Sequence, residues 1–166
     1  MAVEIERKFL VTEATWRRDV NASHHITDHL IARFETGKAR IRMCDGTALL
    51  TFKGNRNGLS RSEYHLHLDP AEAANMIKDF ASSPALQKWR HEVDVDGLTW
   101  QVDEYLGVLT GLVTADVELP HEQHALVQPF WAGPEITHDR RYSSSTLCTL
   151  LQTGEAPLKA LLAARS

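Results

Sequence analysis

Residues 4–8 read Glu4-Ile5-Glu6-Arg7-Lys8, and they decide the fold. Glu4, Glu6 and Lys8 stand two apart, and apolar Val3, Ile5 and Phe9 fill most of the gaps. Side chains two apart on a β-strand share a face. The stretch therefore predicts a strand with one apolar face and one face carrying two acids and a base. A surface strand with its charged face in water is the simplest account. Two features tell against it. Adjacent carboxylates repel unless something cationic lies between them, and the same charge spacing recurs along the chain.

Working outward, Arg40 and Arg42 alternate with Ala39, Ile41 and Met43 in a strand over 38–44. Asp45-Gly46 signals a hairpin turn, and 48–53 returns with Thr51 and Lys53 in one register, Leu50 and Phe52 in the other. The Gly- and Asn-rich stretch 54–60 reads as a loop. Arg61, Glu63, His65 and His67 then alternate with Tyr64, Leu66 and Leu68. Over 86–95, Lys88, Arg90, Glu92 and Asp94 alternate with Trp89, Val93 and Val95. Asp96-Gly97 turns this strand into 98–105, where Gln101 and Asp103 oppose Trp100 and Val102. Asp116 and Glu118 sit between Ala115, Val117 and Leu119 in a strand over 112–119.

Residues 26–35 give a further strand, making about eight. Asp69-Pro70-Ala71-Glu72 is a helix start, with Asp as cap and Pro at the first position. Ala73, Met76, Ile77 and Phe80 follow at helical spacing until Ser82-Ser83-Pro84. A short helix is predicted over 12–20 with Trp16 inward, then a polar turn over 21–25. His24 and His25 point different ways there and read as solvated rather than as a metal pair. Apolar helical faces are expected over 146–151 and 157–164.

The chain has 166 residues, consistent with one domain over 1–166 and a sizeable core. A net charge of −4 argues against a nucleic-acid binder that works by neutralising phosphates. Cys44 and Cys148 have no metal-type spacing and read as free thiols in a reducing compartment. With no signal region and no membrane-length apolar run, the expectation is a cytoplasmic protein without membrane contact.

The amphipathic helices need an apolar sheet surface, so the bulky register (Ile41, Phe52, Tyr64, Trp89, Trp100) is expected to face outward beneath them. It would equally serve a homodimer contact. The charged register must then line the other face. Eight strands can close into a barrel, which removes the sheet edges. The expected fold is thus α+β, an eight-stranded antiparallel β-barrel or tunnel with a charged interior and helices packed outside. Buried charges persist only when paired or bound to ligands or metals. Arg gives bidentate contacts to phosphate oxygens and Lys a point charge. Acids beside them would repel phosphate unless a divalent cation bridged the two. The sequence contains no Gly-rich phosphate loop.

In order along the chain, Glu4-x-Glu6-x-Lys8, Arg40-x-Arg42, Leu50-Thr51-x-Lys53, Arg61-x-Glu63, Lys88-x-Arg90, Trp100-x-Val102-Asp103 and Asp116-x-Glu118 resemble successive motifs of the CYTH, or triphosphate tunnel metalloenzyme, superfamily. Trp131, Gly133, Glu135-Ile136-Thr137 and Arg141-Tyr142 are similar to its C-terminal block. The resemblance covers nearly the whole chain. It implies a tunnel that binds a small-molecule triphosphate with Mg²⁺ or Mn²⁺, and short chains of this kind look most like tripolyphosphatases. Thiamine triphosphate hydrolysis, ATP cyclisation, or a polyphosphate- or nucleotide-binding module with little turnover are the alternatives. The roles implied are metal binding by Glu4, Glu6, Glu63, Asp103, Asp116 and Glu118, and phosphate binding by Lys8, Arg40, Arg42, Lys53, Arg61, Lys88, Arg90 and Arg141. Lys8 and Glu6 are the catalytic candidates. Four departures reduce acidic capacity or alter the wall: His65 and Gln101 where Glu is common, Asp116 for a frequent Glu, and no Gln or Tyr around Asp28 to Ile31.

Overall fold

In the computed structural model, which describes residues 3–153 and Leu161, the alternating stretches become strands. These are β1 (Val3–Val11), β2 (Val20–Phe34), β3 (Gly37–Cys44), β4 (Thr47–Gly54), β5 (Ser60–Leu68), β6 (Leu86–Val95), β7 (Leu98–Tyr105), β8 (Val113–Glu118) and β9 (Ala132–Glu135). Two helices accompany them, α1 (Pro70–Phe80) and α2 (Ser144–Thr153). All pairings are antiparallel, in the order β5-β4-β3-β2-β6-β7-β8-β1, and β1 returns to β5 to close an eight-stranded barrel.

β1 is the closing strand. One edge pairs with β8 from Glu6 to Leu10. Its other edge is shared, with β5 taking Val3 to Ile5 and β9 taking Phe9 to Val11. Between them the Glu6 amide donates to Leu59 O at 3.4 Å, and the Ile136 amide donates to Lys8 O at 2.7 Å. The two expected hairpin turns form with both central residues left-handed: Asp45 (φ 48) and Gly46 (φ 76), Asp96 (φ 50) and Gly97 (φ 77). Such twist matches that of the flanking strands.

The Asp69 side chain caps α1, accepting from the amides of Ala71 and Glu72. Ala73, Met76 and Ile77 of α1 pack over Ile41, Ala48 and Leu50 on the outside of the barrel. A second outer core joins Phe9, Val102 and Val117 to Trp16, Trp100 and Trp131. A third packs α2, through Leu147 and Cys148, against Leu30, Leu86, Tyr105 and Tyr142.

The structure departs from expectation in four places. Only a short 3-10 helix, Thr15–Asp19, stands where a helix over 12–20 was expected, though Trp16 is buried as anticipated. The polar turn over 21–25 is instead strand, because β6 pairs with the backbone from Val20 to His25. Its polar side chains find lateral partners, Asn21 on Asp94 and Ser23 on His91. β9, unexpected beside Pro134, is held by the free edge of β1. The outer register is only partly covered: Ile41 and Trp100 are buried, but Phe52, Tyr64 and Trp89 stay exposed, since α1 spans too little of the sheet. The expected helix over 157–164 lies outside the described residues except for buried Leu161. No described helix is long and apolar enough to cross a membrane.

Candidate active site

Each of the eight barrel strands contributes side chains to one cavity of about 960 Å³. Strand alternation brings them there, and the register decides which charges meet. Glu4 lies opposite Arg61, Lys8 opposite Asp116, Asp28 opposite Arg42, Lys53 opposite Glu63 and Arg90 opposite Asp103. Opposite charges across an antiparallel pair stabilise it and like charges destabilise it.

Of the residues singled out from sequence, Glu4, Glu6, Lys8, Arg40, Arg42, Lys53, Arg61, Glu63, Lys88, Arg90, Asp116 and Glu118 all line this cavity. Asp103 and Arg141 do not. The Asp103 carboxylate lies behind the wall, fully buried, and both its oxygens are taken. It accepts from Lys88 Nζ at 2.5 Å and from Arg90 Nε and Nη2 at 2.7 and 2.8 Å. Burial works to raise its pKa, but Arg90 and Lys88 outweigh that and hold it well below the carboxylate range. The structure thus places Asp103, expected as a metal ligand, outside the cavity lining, where it supports two bases. Arg141 is exposed and clamped on its neighbour Asp139, Nη2 to Oδ2 at 2.6 Å. Its short local loop turns the guanidinium away, and the adjacent Arg140 lines the cavity instead.

The acids gather on β1 and its neighbours. Arg61 binds Glu4 at 2.6 Å and Glu6 at 2.7 Å. Lys53 binds Glu63 at 2.6 Å, and Lys8 binds Asp116 at 2.9 Å. Glu118 has no ion-pair partner among the described residues, and it lies directly opposite Glu6. Its pKa is raised by burial and then by Glu4 and Glu6. Glu118, unpaired among the described residues beside Glu4 and Glu6, completes a carboxylate donor set that fits a hard divalent cation.

The bases concentrate on β3 and β6. Arg40 is only 9% exposed, and its Nε has no hydrogen-bond partner among the described residues. A buried guanidinium with an unused donor fits an anion. Lys38 is drawn down to about 7 by burial and by the nearby Arg61, Lys53 and Arg40.

Three residues of the site escaped the sequence reading, Arg56 and Lys38 lining the cavity and Asp28 behind its wall. Asp28 is 1% exposed and receives Arg42 Nε and Nη2 at 2.8 and 2.9 Å and Arg40 Nη1 at 3.3 Å. Burial would raise it, yet Arg40, Arg42 and Lys88 keep it well below the carboxylate range. It buttresses the bases from behind, and no local pattern marks a lone acid in β2. Arg56, in the loop after β4, reaches the Glu6 carboxylate and, at 3.2 Å, the Glu6 carbonyl. A loop has no periodicity to reveal it. Lys38 did carry a signal, standing two before Arg40 in the same register.

Comparison with known proteins follows the same lines. Residues 2–147 match the CYTH domain family. An inorganic triphosphatase of Acetivibrio thermocellus is 34% identical over 148 residues, 89% of this chain and 94% of that protein. One from Nitrosomonas europaea is 30% identical over 148 residues, 87% of this chain and 95% of that protein. The crystal structure of an inorganic triphosphatase superposes with a TM-score of 0.64 at 25% identity, covering 89% of this chain and 95% of that one.

Proposed function

This chain belongs to the CYTH domain family, and from that premise we propose that it hydrolyses inorganic tripolyphosphate to diphosphate and phosphate, with Mg²⁺ or Mn²⁺ bound. The observation that carries the reading is the divided wall, with carboxylates crowded around β1 and guanidinium and ammonium groups on β3 and β6. A phosphate chain with a divalent cation presents both charges that such a wall would neutralise.

Glu4, Glu6 and Glu118 would hold the cation, with Asp116 and Glu63 beside them. Bound there, the ion would offset phosphate charge and lower the pKa of a coordinated water. Arg40, Arg42, Lys53, Arg61, Lys88 and Arg90 bind the phosphate oxygens. Asp28 and Asp103 keep the bases from splaying, so their positive charge is already in place when charge builds on the equatorial and leaving oxygens. Lys8 and Glu6 orient the attacking water. A new bond forms from that water to the terminal phosphorus, the bridging P–O bond breaks, and diphosphate leaves.

Phosphate release from tripolyphosphate with Mg²⁺ or Mn²⁺ tests this, repeated with Glu6→Gln. Release should fall at least tenfold in the variant; undiminished release rejects the assignment. Thiamine triphosphate and ATP in the same panel separate the other triphosphate activities, and tight binding without turnover identifies a binding module. Phe34 stacks on Phe52 with ring centres 6.4 Å apart, and with Tyr64 they leave apolar surface open. This supports a homodimer contact, checked by light scattering. The free thiols of Cys44 and Cys148 support a reducing, cytoplasmic setting.

A further inference from the structure

A second group of donors, of different chemistry, lies outside the cavity. His24 is on β2, Cys44 ends β3, and Asp45 opens the turn into β4. His24 Nδ1 is 2.6 Å from Asp45 Oδ2, and Cys44 Sγ is 3.6 Å from the same oxygen. All three donor atoms lie within 4.8 Å of one another. An ion with bonds of about 2.0 Å to nitrogen and oxygen and about 2.3 Å to sulfur needs its ligands gathered in a space of this size.

A second observation concerns the other side of the imidazole. His24 Nε2 faces Glu92 Oε1 at 3.9 Å. Metal-binding histidines generally present their second ring nitrogen to a carboxylate, which fixes the tautomer and orients the ring. The neighbouring histidine takes no part, since His25 points to the opposite face and packs on Trp89 at 5.3 Å.

The placement separates this group from the acids around β1. Stepping by twos, His24 continues the register of Asp28, and Cys44 that of Arg42, toward the barrel rim at the Asp45-Gly46 turn. None of the three lines the cavity. The side chains of His24 and Asp45 are 36% and 58% exposed, so an ion reaches them directly from solvent. We propose that His24 Nδ1, Cys44 Sγ and Asp45 Oδ2 form a binding site for a borderline-soft divalent ion such as Zn²⁺, with Glu92 orienting the histidine. A thiolate and an imidazole select such an ion over Mg²⁺ or Mn²⁺, which favour oxygen ligands. Solvent completes the coordination.

Titration of the reduced full chain with Co²⁺ reads the site, because a thiolate-to-cobalt charge-transfer band needs sulfur in the coordination sphere and the other thiol, Cys148, is buried. The wild type should develop the band with one equivalent of Co²⁺ and lose it when Zn²⁺ is added. Cys44→Ser should abolish the band, whereas Cys148→Ser should keep it, since Cys148 is buried in the α2 core. Glu92→Gln should weaken Zn²⁺ binding roughly tenfold, and His24→Ala at least as much. Absence of the band in the folded wild type, or its survival in Cys44→Ser, overturns the proposal. Should Cys44→Ser not fold, unchanged Zn²⁺ affinity in His24→Ala overturns it equally.

Discussion

Glu118 faces Glu6 across two adjacent strands, and Glu4 stands two residues further along the same face. Burial and these two carboxylates raise the Glu118 pKa, so the folded protein keeps this proton to higher pH than the unfolded chain does. Stability from that proton is present in acid and is lost as pH rises through the raised value. At neutral pH without metal, Glu118→Gln should therefore raise the melting temperature, and it should shrink the further rise caused by Mn²⁺. Differential scanning fluorimetry with and without chelator reads both. Lys38 carries the opposite strain. It lies directly across from Lys53, and burial with the surrounding bases lowers it to about 7. The unfolded chain keeps this proton to about pH 10, so between those limits the unfolded state binds more protons and stability rises with pH. Lys38→Met should flatten that slope. A bound polyanion restores the proton: tripolyphosphate binding near pH 8 should take up more protons in the wild type than in Lys38→Met, measured by calorimetry in buffers of different ionisation enthalpy.

At the scale of single elements, the β3–β4 ladder has Gly37 paired with Gly54. A Cβ on Gly37 would come within 2.2 Å of the Lys53 carbonyl oxygen, a backbone atom that cannot rotate aside. Gly37→Ala should therefore push the strands apart beside Lys38 and Lys53, costing about 2–3 kcal/mol in urea unfolding and weakening tripolyphosphate binding. Elements that announce themselves locally were legible. Asp45-Gly46 and Asp96-Gly97 carry their own turn chemistry, and Asp69-Pro70 its own cap. The first part of β2 and all of β9 were not, because residues 21–25 are mostly polar and β9 contains a proline. Both are strands only because a neighbour, β6 or β1, supplies the hydrogen-bonding edge. Asp28 belongs with them: its meaning rests on standing opposite Arg42.

Across the whole molecule, the closed barrel was readable because one alternation runs through strand after strand, and a face so charged demands enclosure. What covers the outside was less readable, since the extent of α1 over the sheet depends on tertiary packing. Closure itself is uneven. β1 meets β5 at Val3, Glu4 and Ile5, whereas β3 and β4 are in register from Gly37 to Cys44. Cooperative units with the least support open first, so in hydrogen exchange the β1–β5 junction should lose protection well before the β3–β4 ladder; equal protection would contradict this. If tripolyphosphate occupies the proposed site, between Lys8 of β1 and Arg61 of β5, it should slow exchange at this junction most. The same strand also sets an order of assembly. Lys8 finds Asp116, and Phe9 finds Glu135, only after most of the polypeptide lies in place. Contacts so distant along the chain form slowly, so until β8 and β9 arrive, the carboxylates of β1 have no chamber to belong to.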